Sequence, residues 1–236
     1  MTTPSAPSGI PLVDALTTKD PPKIEDYVAA ASEYVRLSAK GRLTAGQKKA
    51  GQIRMSAFLG RVVLAELQAR LPGIRHGHAG EATVSGALRS VKADVSEIHP
   101  LDGLRFAVEI KPVLLAVGRA VWNRFGDIRT FAVNLHLKFP FAVVGGVMPV
   151  PTYEEERGVR RDTTGLIQRL VSRLERAGGR KTEGDAPHLL EGIAVVVFDP
   201  DTATIHGDVP PRGSGLQWKE FLVAMAAAYE SRFEVP

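Results

Sequence analysis

The chain has 236 residues, 44% hydrophobic and 24% charged, with a net charge of +4 and no cysteine. The lack of cysteine excludes disulfides and thiolate metal centres and suits a reducing, cytoplasmic setting, while the modest positive charge permits a polyanionic partner without requiring one. No apolar run nears the roughly 18 residues that span a bilayer, and residues 1–11 lack the basic-then-apolar order of a secretory signal.

Residues 1–22, rich in Pro, Ser and Thr, read as a flexible or loosely docked arm, and residues 23–236 as a single domain. Residues 23–73 form its helical hairpin and 74–236 its core and closing helix. In residues 24–40, Ile24, Tyr27, Val28, Ala31, Tyr34 and Val35 recur at helical spacing, with Gly41 as a C-cap. In residues 44–71, Ile53, Ala57, Gly60, Leu64, Leu67 and Leu71 read as a buried seam, ended by Pro72-Gly73. Lys48, Lys49 and Arg54 fit a solvated face better than a phosphate contact. His76 and His78 alternate in a first strand followed by a loop, with no third ligand at zinc spacing. Glu81 opens a short helical or irregular segment.

Residues 92–112, KADVSEIHPLDGLRFAVEIKP, organise the rest. Asp102-Gly103 between two alternating runs predicts a β-hairpin. In its second strand Phe106, Val108 and Ile110 share the core face, while Arg105, Ala107, Glu109 and Lys111 share the other. A two-residue loop puts Asp94 opposite Glu109 or opposite Lys111, depending on where the turn centres; an odd-length loop presents Glu97 instead. Two facing carboxylates repel, and a hard divalent cation resolves that repulsion. A neighbouring ammonium can orient a water and offset phosphate charge.

Asp94…Glu109-Ile110-Lys111 resembles the signature of the PD-(D/E)XK nuclease superfamily, the restriction-endonuclease-like fold. It is the sole acid-x-Lys here that ends an apolar strand after a hairpin, although Ala93 replaces the proline that often precedes the first Asp. The resemblance implies an α/β fold with a mixed central sheet flanked by helices and an antiparallel metal-bearing hairpin. It implies Mg²⁺ held by Asp94 and Glu109, with Lys111 at the attacking water, and it makes Glu81 a candidate additional acid. The implied activity is that of a type II-like restriction endonuclease acting on double-stranded DNA as a homodimer. The same residues also suit an ordinary surface hairpin closed by a salt bridge to Lys111.

Arg89 and Lys92 flank the first of these strands and can meet phosphate. Residues 114–136 form one long helix, with Leu114, Val117, Val121, Phe125, Ile128, Ala132 and Leu135 on one side and Arg119, Asn123, Asp127, Thr130 and Asn134 on the other. Arg119, Asn123 and Arg124 can approach a DNA backbone. Residues 139–149 read as a buried strand in which Gly145-Gly146 marks a bulge or close approach. Residues 152–162 form a charged loop whose Arg157, Arg160 and Arg161 face DNA or pair with Glu154, Glu155 and Glu156. A helix over 163–177, a buried strand over 191–199, a short strand over 202–206 and a closing helix over 216–233 complete the α/β pattern; both tryptophans, Trp122 and Trp218, fall at buried spacing. Rival functions are a non-catalytic DNA-binding or assembly protein on a nuclease scaffold, and a modification-dependent or repair nuclease.

Overall fold

The computed structural model describes residues 8–156 and 158–233. It opens with helices α1 (Pro11–Ala15), α2 (Ile24–Ala39) and α3 (Ala45–Arg70), then strands β1 (Gly77–Ser85), β2 (Ser90–His99) and β3 (Gly103–Ile110). Helix α4 (Val117–His136), strands β4 (Val143–Pro151), β5 (Tyr153–Glu156) and β6 (Val159–Asp162), and helix α5 (Thr164–Leu174) follow. Strands β7 (Gly192–Asp199) and β8 (Thr204–Ile205) and helix α6 (Trp218–Phe233) end the chain.

The main sheet has the order β1-β2-β3-β4-β7-β8. β1, β2 and β3 are an antiparallel meander, β3, β4 and β7 run parallel, and β8 is antiparallel at the edge. The apolar runs of β4 and β7 lie at the centre, where both faces are covered and alternation disappears. One face packs against α1, α2, α3 and α6, the other against α4 and α5, giving two cores separated by the sheet. The chain is thus α/β with a mixed six-stranded sheet flanked by helices, and no helix among the described residues is long and apolar enough to cross a membrane.

Four local expectations change. The N-terminal segment is docked from residue 8 onward: Ile10, Val13 and Leu16 are buried, and the Asp14 carboxylate accepts hydrogen bonds from Ser8 and Gly9. In α3 the buried stripe runs through Gly51, Met55, Phe58, Leu59, Val62, Val63 and Leu67. Ile53 and Ala57, expected in the seam, face solvent, because α3 is shared among α1, α2, α6 and the β1-β2 hairpin rather than laid on one neighbour. The charged segment after β4 is a hairpin, β5-β6, with Glu155 opposite Arg160 and Glu154 opposite Arg161. Asn134, expected on the polar face of α4, is buried.

Gly145 and Gly192 are register partners in β4 and β7. A Cβ at either would lie 2.8–2.9 Å from Phe221 or Met225 of α6, so the pair forms the notch in which α6 seats. Gly192→Ala is expected to cost about 1–3 kcal/mol by overpacking, read as a fall in the urea midpoint at unchanged slope.

Candidate active site

Asp94, Glu109 and Lys111 come together in one cleft of about 410 Å³ on the α4 face of the sheet. The route to this register was not the expected one. His99 pairs with Gly103, so the loop is the three residues Pro100, Leu101 and Asp102, an odd length, and Gly103 takes a positive φ of 73°. Pairing then jumps from Ile98–Leu104 to Glu97–Phe106, leaving Arg105 as the extra residue of a β-bulge. The bulge restores the register the odd loop would have shifted: Val95 pairs with Val108, which sets Asp94 across from Glu109.

The bulge also turns Arg105 away from the face where alternation placed it. Its guanidinium binds Asp102, reaches the Tyr229 hydroxyl and stacks on Phe233 of α6. Glu97 lies on that opposite face, fully buried, accepting from Tyr229 Oη at 2.6 Å and from His76 N at 3.2 Å. It does not join the cleft. His76 and His78 do not line it either; His76 stacks edge-on against His99.

Backbone hydrogen bonds fix the strand end that carries these side chains. Asp94 Oδ2 accepts from Ile110 N at 2.7 Å, clamping β2 to β3 between Glu109 and Lys111. Behind Asp94, α3 approaches so closely that a Cβ on Gly60 would stand 3.3 Å from Asp94 O. Lys111 N donates to Val147 O at 2.9 Å, extending the β3-β4 pairing past Ile110. Lys111 Nζ forms a short ion pair with Glu109 Oε1.

The electrostatics are those of a carboxylate pair held partly out of water. Burial pushes Glu109 up to about 7; Lys111 opposes this, and Asp94 and Asp127 reinforce it. Burial also raises Asp94, against the Ile110 N–H and Lys111, with Glu81 adding to the rise. An acid whose folded pKa lies above its unfolded value costs stability as pH rises from the unfolded value toward the folded one. For Glu109 that window runs from 4.5 to about 7. Between pH 5 and 7.5 the metal-free protein is therefore expected to lose stability through this group. In Glu109→Gln the decline should be smaller, by about 1–3 kcal/mol across the window, measured by urea unfolding in EDTA.

The remaining predicted residues divide. Glu81 sits in β1, not in a helical segment, because residues 77–85 pair with β2; it lines the cleft and binds Lys92 Nζ at 2.6 Å. Arg89, Lys92 and Arg124 also line the cleft, with Arg124 3.2 Å from Asp127. Arg119 lines a different hollow, with Lys48 and Glu154, and Asn123 is exposed on the outer side of α4. Arg160 is engaged by Asp201 at 2.7 Å and by the Tyr153 ring, and Arg161 stands on the β5-β6 hairpin away from the cleft. Arg157 lies outside the described residues.

Sequence reasoning missed three contributors from α4. Asp127 and Phe131 line the cleft. Asn134 accepts from Leu88 N and Arg89 N and donates to Arg89 O at 2.6 Å, fixing the β1-β2 turn that carries Arg89. Spacing put Asp127 and Asn134 on the polar side of α4, so the sequence carried no signal that the β1-β2 turn would cover Asn134. Among the described residues no group of three or more His, Cys, Asp or Glu side chains is arranged to hold a metal ion. Comparison with protein-family models, with curated proteins and with solved structures finds no match to this chain.

Proposed function

We propose that this protein is a Mg²⁺-dependent endodeoxyribonuclease of the PD-(D/E)XK type, acting on double-stranded DNA in the manner of a type II restriction endonuclease. The observation that carries the reading is the convergence of Asp94, Glu109 and Lys111 in one open cleft, with both carboxylates raised by burial and by nearby acids. Two such carboxylates are a poor structural ion pair for a single lysine. They are a good donor set for a hard cation, which commonly holds one or two carboxylates and fills its shell with water and phosphate oxygens. The antiparallel meander followed by parallel β4 supports the restriction-endonuclease-like reading of the fold.

Asp94 and Glu109 would hold the cation, and Glu81 stands near enough to bias Asp94. When bound, Mg²⁺ supplies a water of lowered pKa and neutralises charge on the phosphodiester. Lys111, whose ammonium stands beside Glu109 in the cleft, would orient the attacking water and donate toward the scissile phosphate. Arg89, Lys92 and Arg124, at the rim, meet the flanking backbone. Attack in line leaves a 3′-hydroxyl and a 5′-phosphate. One cleft serves one strand, so cutting both strands at a symmetric sequence calls for a homodimer.

The experiment is incubation of unmodified and methylated plasmid and phage DNA with the protein in Mg²⁺ and in EDTA. Discrete Mg²⁺-dependent fragments with 5′-phosphate ends are expected. Failure to cut any of these substrates in Mg²⁺ overturns the reading.

A further inference from the structure

A second charged surface lies on the other flank of α4. Two adjoining hollows between α4 and α5, of about 590 and 360 Å³, are lined by Trp122, Arg129, Arg169, Arg173, Arg176 and His188 together with small or apolar neighbours. No carboxylate lines either hollow. Glu175, next to Arg176 in the chain, lines neither hollow, and two other nearby acids are paired elsewhere: Asp127 with Arg124, and Glu191 with Arg180 and Arg232. Among the described residues the four arginines make no ion pair. Three of them are instead propped by neutral groups: Arg173 stacks on Trp122 at 4.4 Å, Arg129 on Phe125 at 5.6 Å, and Arg176 Nε donates to Ser172 O at 3.2 Å.

We infer that this arginine ridge is a second binding surface for the phosphate backbone of duplex DNA, on the side of α4 opposite the cleft. The inference rests on the nuclease reading for the choice of polyanion. Three features fit a DNA backbone, and the last two fit it better than they fit an acidic protein. Every cation of the ridge is arginine, whose planar fork matches phosphate oxygens two at a time. Arg169 and Arg173 of α5 and Arg176 in the turn just after it form a row about 10 Å long, taking the helical rise of about 1.5 Å per residue. Cleft and ridge are separated by one helix, about 10–12 Å across with its side chains, close to the roughly 12 Å that separates the two backbones across a major groove. A duplex straddling α4 thus presents one strand to the cleft and the other to the ridge, with the exposed Arg119, Asn123 and Thr130 between them.

The test is DNA binding in EDTA, where nothing is cut, by fluorescence anisotropy of a labelled duplex across a salt series. Arg169→Ala/Arg173→Ala/Arg176→Ala is compared with a control of equal charge change, Arg42→Ala/Lys49→Ala/Arg212→Ala. Each phosphate contact contributes about 0.9 to the slope of log K against log salt, so loss of three should flatten it by about 2–3 and weaken binding about 10²-fold near 0.15 M salt. The control should change both far less, and the triple Arg→Lys variant should keep most of the slope. Equal effects of ridge and control variants, or an unchanged slope, would overturn the ridge and leave the cleft reading standing. Retained ridge-dependent binding by a protein that never cuts would leave the ridge standing and sink the nuclease. Absence of duplex binding, with ridge-dependent binding of a poly-glutamate peptide, would reassign the surface to an acidic protein.

Discussion

Asp94→Asn should lower Mg²⁺-dependent cleavage by at least about 10³-fold, some 4 kcal/mol of transition-state stabilisation, while leaving the fold intact. The asparagine carbonyl can still accept from Ile110 N, the bond that clamps β2 to β3 at this point. What disappears is a buried negative charge beside a second one, so the metal-free variant is expected to unfold at a urea concentration equal to or above that of the parent. A loss of activity with a maintained or raised midpoint separates a chemical role from a structural one. Lys111→Ala should also abolish cleavage, by about 10²–10³-fold. It should, in contrast, destabilise the metal-free protein, because Glu109 then loses the cation that opposes its raised pKa. Cleavage that survives both changes would remove Asp94 and Lys111 from the chemistry.

The largest stability effect is expected away from the cleft. Glu191, just before β7, is fully buried and its carboxylate accepts from Arg180 at 2.8 Å, from Val144 N at 2.8 Å, and pairs with Arg232 at 2.8 Å, with His136 Nε2 at 3.2 Å. These partners come from the loop after α5, from β4, and from the ends of α6 and α4, so one carboxylate ties four elements together. Glu191→Ala leaves two buried guanidiniums without their shared anion and should cost about 3–5 kcal/mol. Burial alone would raise the Glu191 pKa, but His136, Val144 N and Arg180 outweigh it and hold the carboxyl below its ordinary 4.5. A depressed folded pKa contributes stability that is fully present above the unfolded value and is lost as pH falls through the folded one. The gap between the parent and Glu191→Gln should therefore be widest at pH 6–8, by about 1–3 kcal/mol, and close under acid. A gap that is constant from pH 7 to pH 3 would show that the charge of Glu191 is not what matters.

How far the sequence could be read depended on whether a feature is local. The helix spacing of α2, α4 and α6 and the unbroken apolar runs of β4 and β7 were legible because burial face and period are written residue by residue. Asp94, Glu109 and Lys111 were legible as a group because they lie within twenty residues on one hairpin. Even so, the reason they converge was not: the loop is odd, and an extra residue at Arg105 restores the pairing. Nothing in a period-two pattern announces a bulge, which depends on how the twisted strand packs against α6.

Length, composition and local period by themselves determined the class of the chain, the positions of its principal elements and the acid-x-Lys strand end. Only the tertiary structure decided which face of α3 is buried, that Glu97 stays out of the cleft, that Asp127 enters it while Asn134 fixes the turn beside it, and that four arginines on and just after α4 and α5 are left without carboxylates. The physical reason is the same in each case. These outcomes depend on which distant side chain occupies the neighbouring volume, and burial, pKa and ion pairing respond to that neighbour rather than to spacing along the chain.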